Sequence, residues 1–195
     1  MSKNEKSVKE KNGGFSTRKV VFAAMALSLA IVIATVIKLP SLPLGGSTTL
    51  FSMLIVCLVG YWYGPKVGLW SALAYGILQF ITGPYVIHPL QVLLDYPMAF
   101  GALGLSGFFH KSKHGLVKGY IVGVCGRYIC HSFSGMIFYT TYVANAKANC
   151  MAILAGLGYN LTYILPEAVG TIIVLCIPAV RHLMIKLKDV ATQEQ

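Results

Sequence analysis

The run Val20-Val21-Phe22-Ala23-Ala24-Met25-Ala26-Leu27-Ser28-Leu29-Ala30-Ile31-Val32-Ile33-Ala34-Thr35-Val36-Ile37 carries no charged residue. It approaches the roughly 20 residues that cross about 30 Å of hydrocarbon as a helix. The chain has 195 residues, 56% of them hydrophobic and 11% charged, so this run marks an integral membrane protein. Ala23, Ala26, Ala30 and Ala34 recur within it at three- and four-residue steps. Such a small-residue stripe lets another helix approach closely, either inside the bundle or from a separate subunit.

Working outward, Met1 to Lys19 is polar and Lys-rich, and no small-residue cleavage site follows the first apolar run. It reads as a basic cytoplasmic tail and not as a signal peptide. Six helices are predicted, at about Val20–Ile37, Thr48–Tyr63, Lys66–Ile81, Leu90–Phe109, Leu116–Tyr142 and Tyr159–Leu183. The expected fold class is an all-α integral membrane protein, a six-transmembrane-helix bundle. Its predicted organisation is a tail over 1–19, a membrane domain over 20–188 and a C-terminal tail over 189–195. Pro40, Pro43 and Gly45-Gly46 break the chain after the first helix; Gly64-Pro65 and Gly83-Pro84 do so after the second and third. Gly60, Gly64 and Gly68 repeat the small-residue spacing across one of those breaks.

Charge placement sets the orientation. Thirteen Lys and Arg residues fall in the tail, at Lys66, between Lys111 and Lys118, or at Arg181, Lys186 and Lys188, against Lys38 and Lys147 in the alternate loops. Both termini are therefore expected in the cytoplasm, and the segment Gly83–Pro89 outside. The net charge of +10 is accounted for by these flanking residues, so a nucleic-acid partner is excluded. The five cysteines are scattered with no C-x-x-C pair, and read as reduced small hydrophobes.

The segment Gln79 to Pro97 places a carboxylate, an imidazole, amides and phenols among apolar helices. An ionised Asp at bilayer depth costs roughly 2.5–3.5 kcal/mol, so this segment reads as the mouth of a small-molecule site. Three charges lie within the spans: Asp95, Arg127 and Glu167. Arg127 sits about 14 Å from Lys118 along its helix and Glu167 about 12 Å from Tyr159, so both fall near mid-depth, and a structural ion pair is expected between them. Asp95 has no obvious basic partner at its depth. It reads either as a ligand contact or as a hydrogen-bonded feature near a kink at Pro97. His131 lies one turn beyond Arg127, and Phe138, Tyr139 and Tyr142 continue that face as an aromatic pocket lining or as an interfacial belt. Asn160, Tyr163 and Glu167 share a stripe of the sixth helix, and Asn160 reads equally as a helix cap.

No phosphate-binding G-x-x-x-x-G-K-[ST] loop, H-E-x-x-H pair, nucleophile elbow or Cys/His cluster occurs. The chain is expected not to be an enzyme, to hold no metal or cofactor, and not to hydrolyse ATP by itself. No duplicated half resembles an inverted repeat.

Leu78-Gln79-Phe80, Gly83-Pro84, His88-Pro89, Gln91, Leu93-Leu94-Asp95-Tyr96-Pro97, Gly126-Arg127-Tyr128, His131, Ser134-Gly135, Tyr159-Asn160, Tyr163 and Pro166-Glu167 together resemble the thiamine-specific S components of energy-coupling factor vitamin transporters. The resemblance covers all six predicted helices in order. It implies a high-affinity substrate-binding subunit for thiamine in the bacterial cell membrane, working with a transmembrane coupling subunit and two ATPase subunits. It implies that Asp95 meets the thiazolium cation, and that Tyr96, Tyr85, His131, Tyr139 and Asn160 complete the pocket. It also implies docking of the coupling subunit on Ala26 and Ala30. The outer loop after the first helix lacks the Trp that the family pattern places there. Thiamine's cation, flat aminopyrimidine and hydroxyl call for a carboxylate, aromatic faces and hydrogen-bonding side chains, which these residues supply. The alternatives are an S component for another vitamin or thiamine analogue, a small proton-coupled secondary transporter and an intramembrane enzyme.

Overall fold

The computed structural model describes residues 16–37, 48–142 and 150–193, with side chains at all of these but 139–142 and 150–153. The basic tail up to Phe15, the turn from Lys38 to Gly46, Lys147 and the side chains of Tyr139 and Tyr142 lie outside this description. The described chain is helical: α1 (Thr17–Val36), α2 (Ser52–Tyr63), α3 (Pro65–Thr82), α4 (Pro89–Phe109), α5 (Gly115–Tyr142), α6 (Cys150–Cys176) and α7 (Pro178–Thr192). Four of these, α1, α4, α5 and α6, are long and apolar enough to cross a membrane. Their outward faces are apolar, with Met25, Leu29, Ile129, Phe133, Leu165 and Ile173 all exposed, as a hydrocarbon surround requires.

The short α2 forms the centre. Every residue from Ser52 to Gly60 is buried, so its apolar side chains need no stripe pattern. Gly64 has φ 86°, a left-handed value that glycine adopts without strain, and Pro65 then opens α3 as its first residue. The Gly60–Gly68 spacing brings α2 and α3 into near contact: a Cβ on Gly68 would stand 2.7 Å from Gly60 Cα.

The alanine stripe of α1 faces inward. Ala30 is fully buried and Ala26 is 7% exposed, against α2 and α3, and the Tyr75 hydroxyl donates to Ala30 O at 3.5 Å. The expected docking residues are therefore packed inside this chain, because the close helix approach that small residues permit is used by the bundle itself. The outward edge of α1 carries Ala24 and Ser28.

Two helix limits differ from expectation. The sixth helix begins at Cys150, ahead of Tyr159, and stops at Cys176 instead of running to Leu183. Pro178 lacks a donor and pushes Ile177 into extended geometry (ψ 122°), so α7 starts as a separate helix. Helix α7 is tied across one end of the bundle. Arg18 donates to Val190 O at 2.6 Å, and Tyr63 to Ala191 O at 3.0 Å. The Lys188 ammonium donates to His110 O and lies 4.0 Å over the Tyr61 ring, and partial burial there holds it below the ordinary lysine value. The start of α1, the ends of α2 and α4, and α7 thus share one face.

Candidate functional site

Pro97 interrupts α4 chemically. Without an N–H it cannot bond to Leu93 O, and its ring crowds that carbonyl, so the backbone widens over Leu94–Met98 and Ala99 N–H reaches back to Leu94 O. The expected kink is thus an i→i+5 turn, a form frequent at functional sites. Gly76 of α3 lies against it; a Cβ there would stand 2.6 Å from Tyr96 O. This turn carries Asp95 and Tyr96.

The Asp95 carboxylate accepts three hydrogen bonds. Gln91 Nε2 donates to Oδ2 at 2.7 Å and Ser134 Oγ to Oδ2 at 2.9 Å, and His131 Nδ1 lies 3.0 Å from Oδ1. Asp95 does have a partner with a basic side chain, which the sequence reading did not find. His131 Nε2 in turn lies 3.3 Å from Arg127 Nε, a group that only donates, so Nε2 accepts. A neutral imidazole then has its proton on Nδ1, aimed at Asp95. Arg127 is 8% exposed and its guanidinium stacks 4.3 Å from the Phe100 ring centroid. The side chains of Asp95 and His131 stay 16% and 11% exposed, so the pair borders accessible space.

Asn160 completes the floor. It sits in the interior of α6, not at its cap; its amide donates to His131 O at 2.9 Å, and its Oδ1 accepts from Tyr163 Oη at 2.7 Å. The Tyr163 ring meets the imidazole edge-on at 5.9 Å. At the other side, Tyr96 Oη accepts from Tyr85 N at 2.8 Å and donates to Gly83 O at 3.3 Å, pinning the Gly83–Tyr85 loop, while its ring meets Phe80 edge-on at 5.3 Å. His88 stacks on Phe138 at 5.3 Å. Asp95, His131 and Asn160 are therefore linked by direct contacts, and Tyr96, next to Asp95 in sequence, pins the loop to which Tyr85 belongs. The Tyr139 side chain lies outside the described residues.

The expected Arg127–Glu167 ion pair is not made. Among the described residues the one carboxylate beside a basic side chain is Asp95, hydrogen-bonded to the neutral His131. Glu167 instead accepts from Thr49 Oγ1 at 3.0 Å, Ser52 Oγ at 3.2 Å and Met53 N at 3.0 Å. It caps the start of α2 from a distant helix, where unsatisfied N–H groups and the helix dipole favour a carboxylate. Sequence reasoning gave no role to Gln91 and Ser134. Gln91 is 2% exposed and, besides Asp95, donates to Tyr85 O and accepts from Ile87 N, both at 3.2 Å. Its signal was the four-residue step to Asp95, which places both on one helix face.

Residues 20–187 match the family of the thiamine transporter protein (Thia_YuaJ). The chain belongs to the thiamine transporter family. The thiamine transporter ThiT of Bacillus subtilis strain 168 is 32% identical over 171 residues, covering 80% of this chain and 85% of the relative. ThiT of Lacticaseibacillus paracasei is 33% identical over 90 residues, 37% of this chain and 45% of the relative. A solved structure of ThiT from Listeria monocytogenes shares the fold, with a TM-score of 0.61 at 20% identity over 83% of this chain and 94% of that one. As a member of the thiamine transporter family, the chain is a membrane transport protein and not an enzyme.

Proposed function

We propose that this chain is the thiamine-binding membrane subunit of an energy-coupling factor transporter in a bacterial cell membrane, with Asp95 opposing the thiazolium cation. The observation that carries the reading is the state of that carboxylate: three hydrogen bonds orient it, and among the described residues no Arg or Lys is in ion-pair contact with it. A positioned but uncompensated anion bordering accessible space is suited to a fixed organic cation. Tyr96, Tyr85, His131, Tyr139 and Asn160 supply rings and hydrogen-bonding groups for the remainder of the ligand.

The proposed topology has six membrane helices, with α2 and α3 as the short pair, and both termini cytoplasmic. The face tied together by Arg18, Lys188 and α7 is the one on which Lys and Arg concentrate, in keeping with a cytoplasmic side. The proposed partners are a transmembrane coupling subunit and two ATPase subunits. The inward packing of Ala26 and Ala30 moves the proposed docking edge of α1 to Ala24 and Ser28.

A second reading, proton-coupled transport, draws on the Asp95–His131 contact. Arg127 opposes it, because a donor on Nε2 blocks the far end of such a relay. The two separate in vesicles containing only this protein. Thiamine binding without concentrative uptake supports the binding subunit, and ATP-independent accumulation overturns it.

A further inference from the structure

Four side chains form a row between α4 and α5: Phe100 and Asp95 of α4 at its ends, Arg127 and His131 of α5 between them. The guanidinium is held by the Phe100 ring at 4.3 Å, and its Nε points to His131 Nε2 at 3.3 Å. The opposite ring nitrogen faces Asp95 at 3.0 Å. Arg127 itself makes no ion-pair contact among the described residues. A buried Arg that spends its directional donor on a histidine nitrogen, with both carboxylates engaged elsewhere, needs an explanation.

The explanation lies in what His131 would otherwise do. An imidazole beside a carboxylate readily takes a second proton and becomes its counter-ion. A charged His131 would neutralise Asp95 and compete with a cationic ligand. The second proton would have to sit on Nε2, where the Arg127 N–H already points and where two donors would meet. Among the described residues, the titratable or charged groups in contact with the imidazole are Asp95 from α4, Arg127 from its own helix, and the Tyr163 phenol of α6, which is bonded to Asn160. Glu167, one turn further along α6, is held by Thr49, Ser52 and Met53.

We propose that Arg127 is the positioning residue of the cation site: by occupying His131 Nε2 it keeps the imidazole singly protonated on Nδ1, so that Asp95 is oriented but its negative charge stays available to the ligand. This rests on the reading of Asp95 as the cation contact. Arg127 touches no ligand itself; it acts through His131.

The test is the pH profile of thiamine affinity in the purified full chain, from about pH 8 to about pH 5.5, across the ordinary histidine value of roughly 6.5. The unaltered protein is expected to show a flat profile. Arg127→Met, which also removes the packing on Phe100, should bind more weakly at the alkaline end and lose about a further tenfold on acidification, as His131 charges and closes on Asp95. Arg127→Lys, which restores a charged donor, should flatten the profile again. A profile for Arg127→Met that stays parallel to that of the unaltered protein would overturn the proposal, since loss of packing alone weakens binding equally at every pH.

Nitrogen-15 NMR of histidine-labelled, unaltered protein keeps the test open if Arg127→Met does not fold. His131, assigned by its loss in His131→Gln, is expected to carry one proton, on Nδ1. A proton on Nε2, alone or with Nδ1, overturns the assignment. Failure of the underlying reading looks different: Asp95→Asn would then weaken thiamine and an uncharged analogue alike, a result that the Arg127 measurements do not produce.

Discussion

Asp95 and His131, 36 positions apart, meet at 3.0 Å between the widened turn of α4 and the middle of α5. The contact joins the two helices that build most of the site. It also leaves the Asp95 carboxylate partly exposed beside a neutral imidazole.

Asp95→Asn keeps the size of the side chain and removes the charge. The Asn Oδ1 can take the place of Oδ2 and still accept from Gln91 and Ser134, so the fold should persist. Loss of a charge-assisted contact should cost about 1.5–3 kcal/mol, or about ten- to a hundredfold in thiamine affinity. An analogue with an uncharged ring in place of the thiazolium should lose much less. Titration calorimetry of both ligands on both proteins closes the cycle.

Glu167→Ala should affect stability before it affects the ligand. The carboxylate satisfies Thr49, Ser52 and the Met53 N–H at the buried start of α2, and its removal should cost roughly 2–3 kcal/mol. Glu167→Gln retains an acceptor and should cost about half of that. Thermal unfolding in detergent checks both, and an unchanged melting temperature for Glu167→Ala would contradict the capping role.

Tyr96→Phe tests the pinned loop. The ring contact with Phe80 survives, while the hydroxyl's bonds to Tyr85 N and Gly83 O are lost. Each such bond contributes roughly 0.5–1.5 kcal/mol, so affinity should fall by about three- to tenfold. Amide exchange should rise over Gly83–His88 and not elsewhere. Unchanged exchange there would assign Tyr96 to ligand contact alone.

The two edges of α1 should respond differently to bulk. Ala30 has no free surface, so Ala30→Trp should overpack the bundle, cost upwards of about 1–3 kcal/mol and impair binding with stability. Ala24→Trp, on the exposed edge, should leave thiamine binding intact and abolish ATP-driven uptake with the coupling module. Normal uptake by Ala24→Trp would place docking elsewhere.

The membrane class was legible from Val20–Ile37 alone, because hydrocarbon tolerates only long apolar helices and composition records that demand directly. Pro97 announced a break in α4, since a missing N–H is a covalent fact. The limits of α6 were less legible: Ile177, Ala179 and Val180 continue the apolar pattern past Cys176, and Pro178 had to be weighed against them. The composition of the site, an Asp and a His with amides and phenols, also stood in the chain.

Residue types and helical periodicity determined that this protein sits in a membrane, where its helices break and which side chains bring chemistry. The tertiary structure decided their partners. Arg127 and Glu167 carry opposite charges at similar depth, which suggested a pair, yet Glu167 caps α2 and Arg127 turns to His131. The alanine stripe signalled close packing without naming the neighbour, and α2 and α3 proved to fill it. Periodicity reports the face of a helix, whereas partnership depends on how each helix is rotated and shifted against the others. Those rotations are set by all the packed side chains together, so no single segment encodes them.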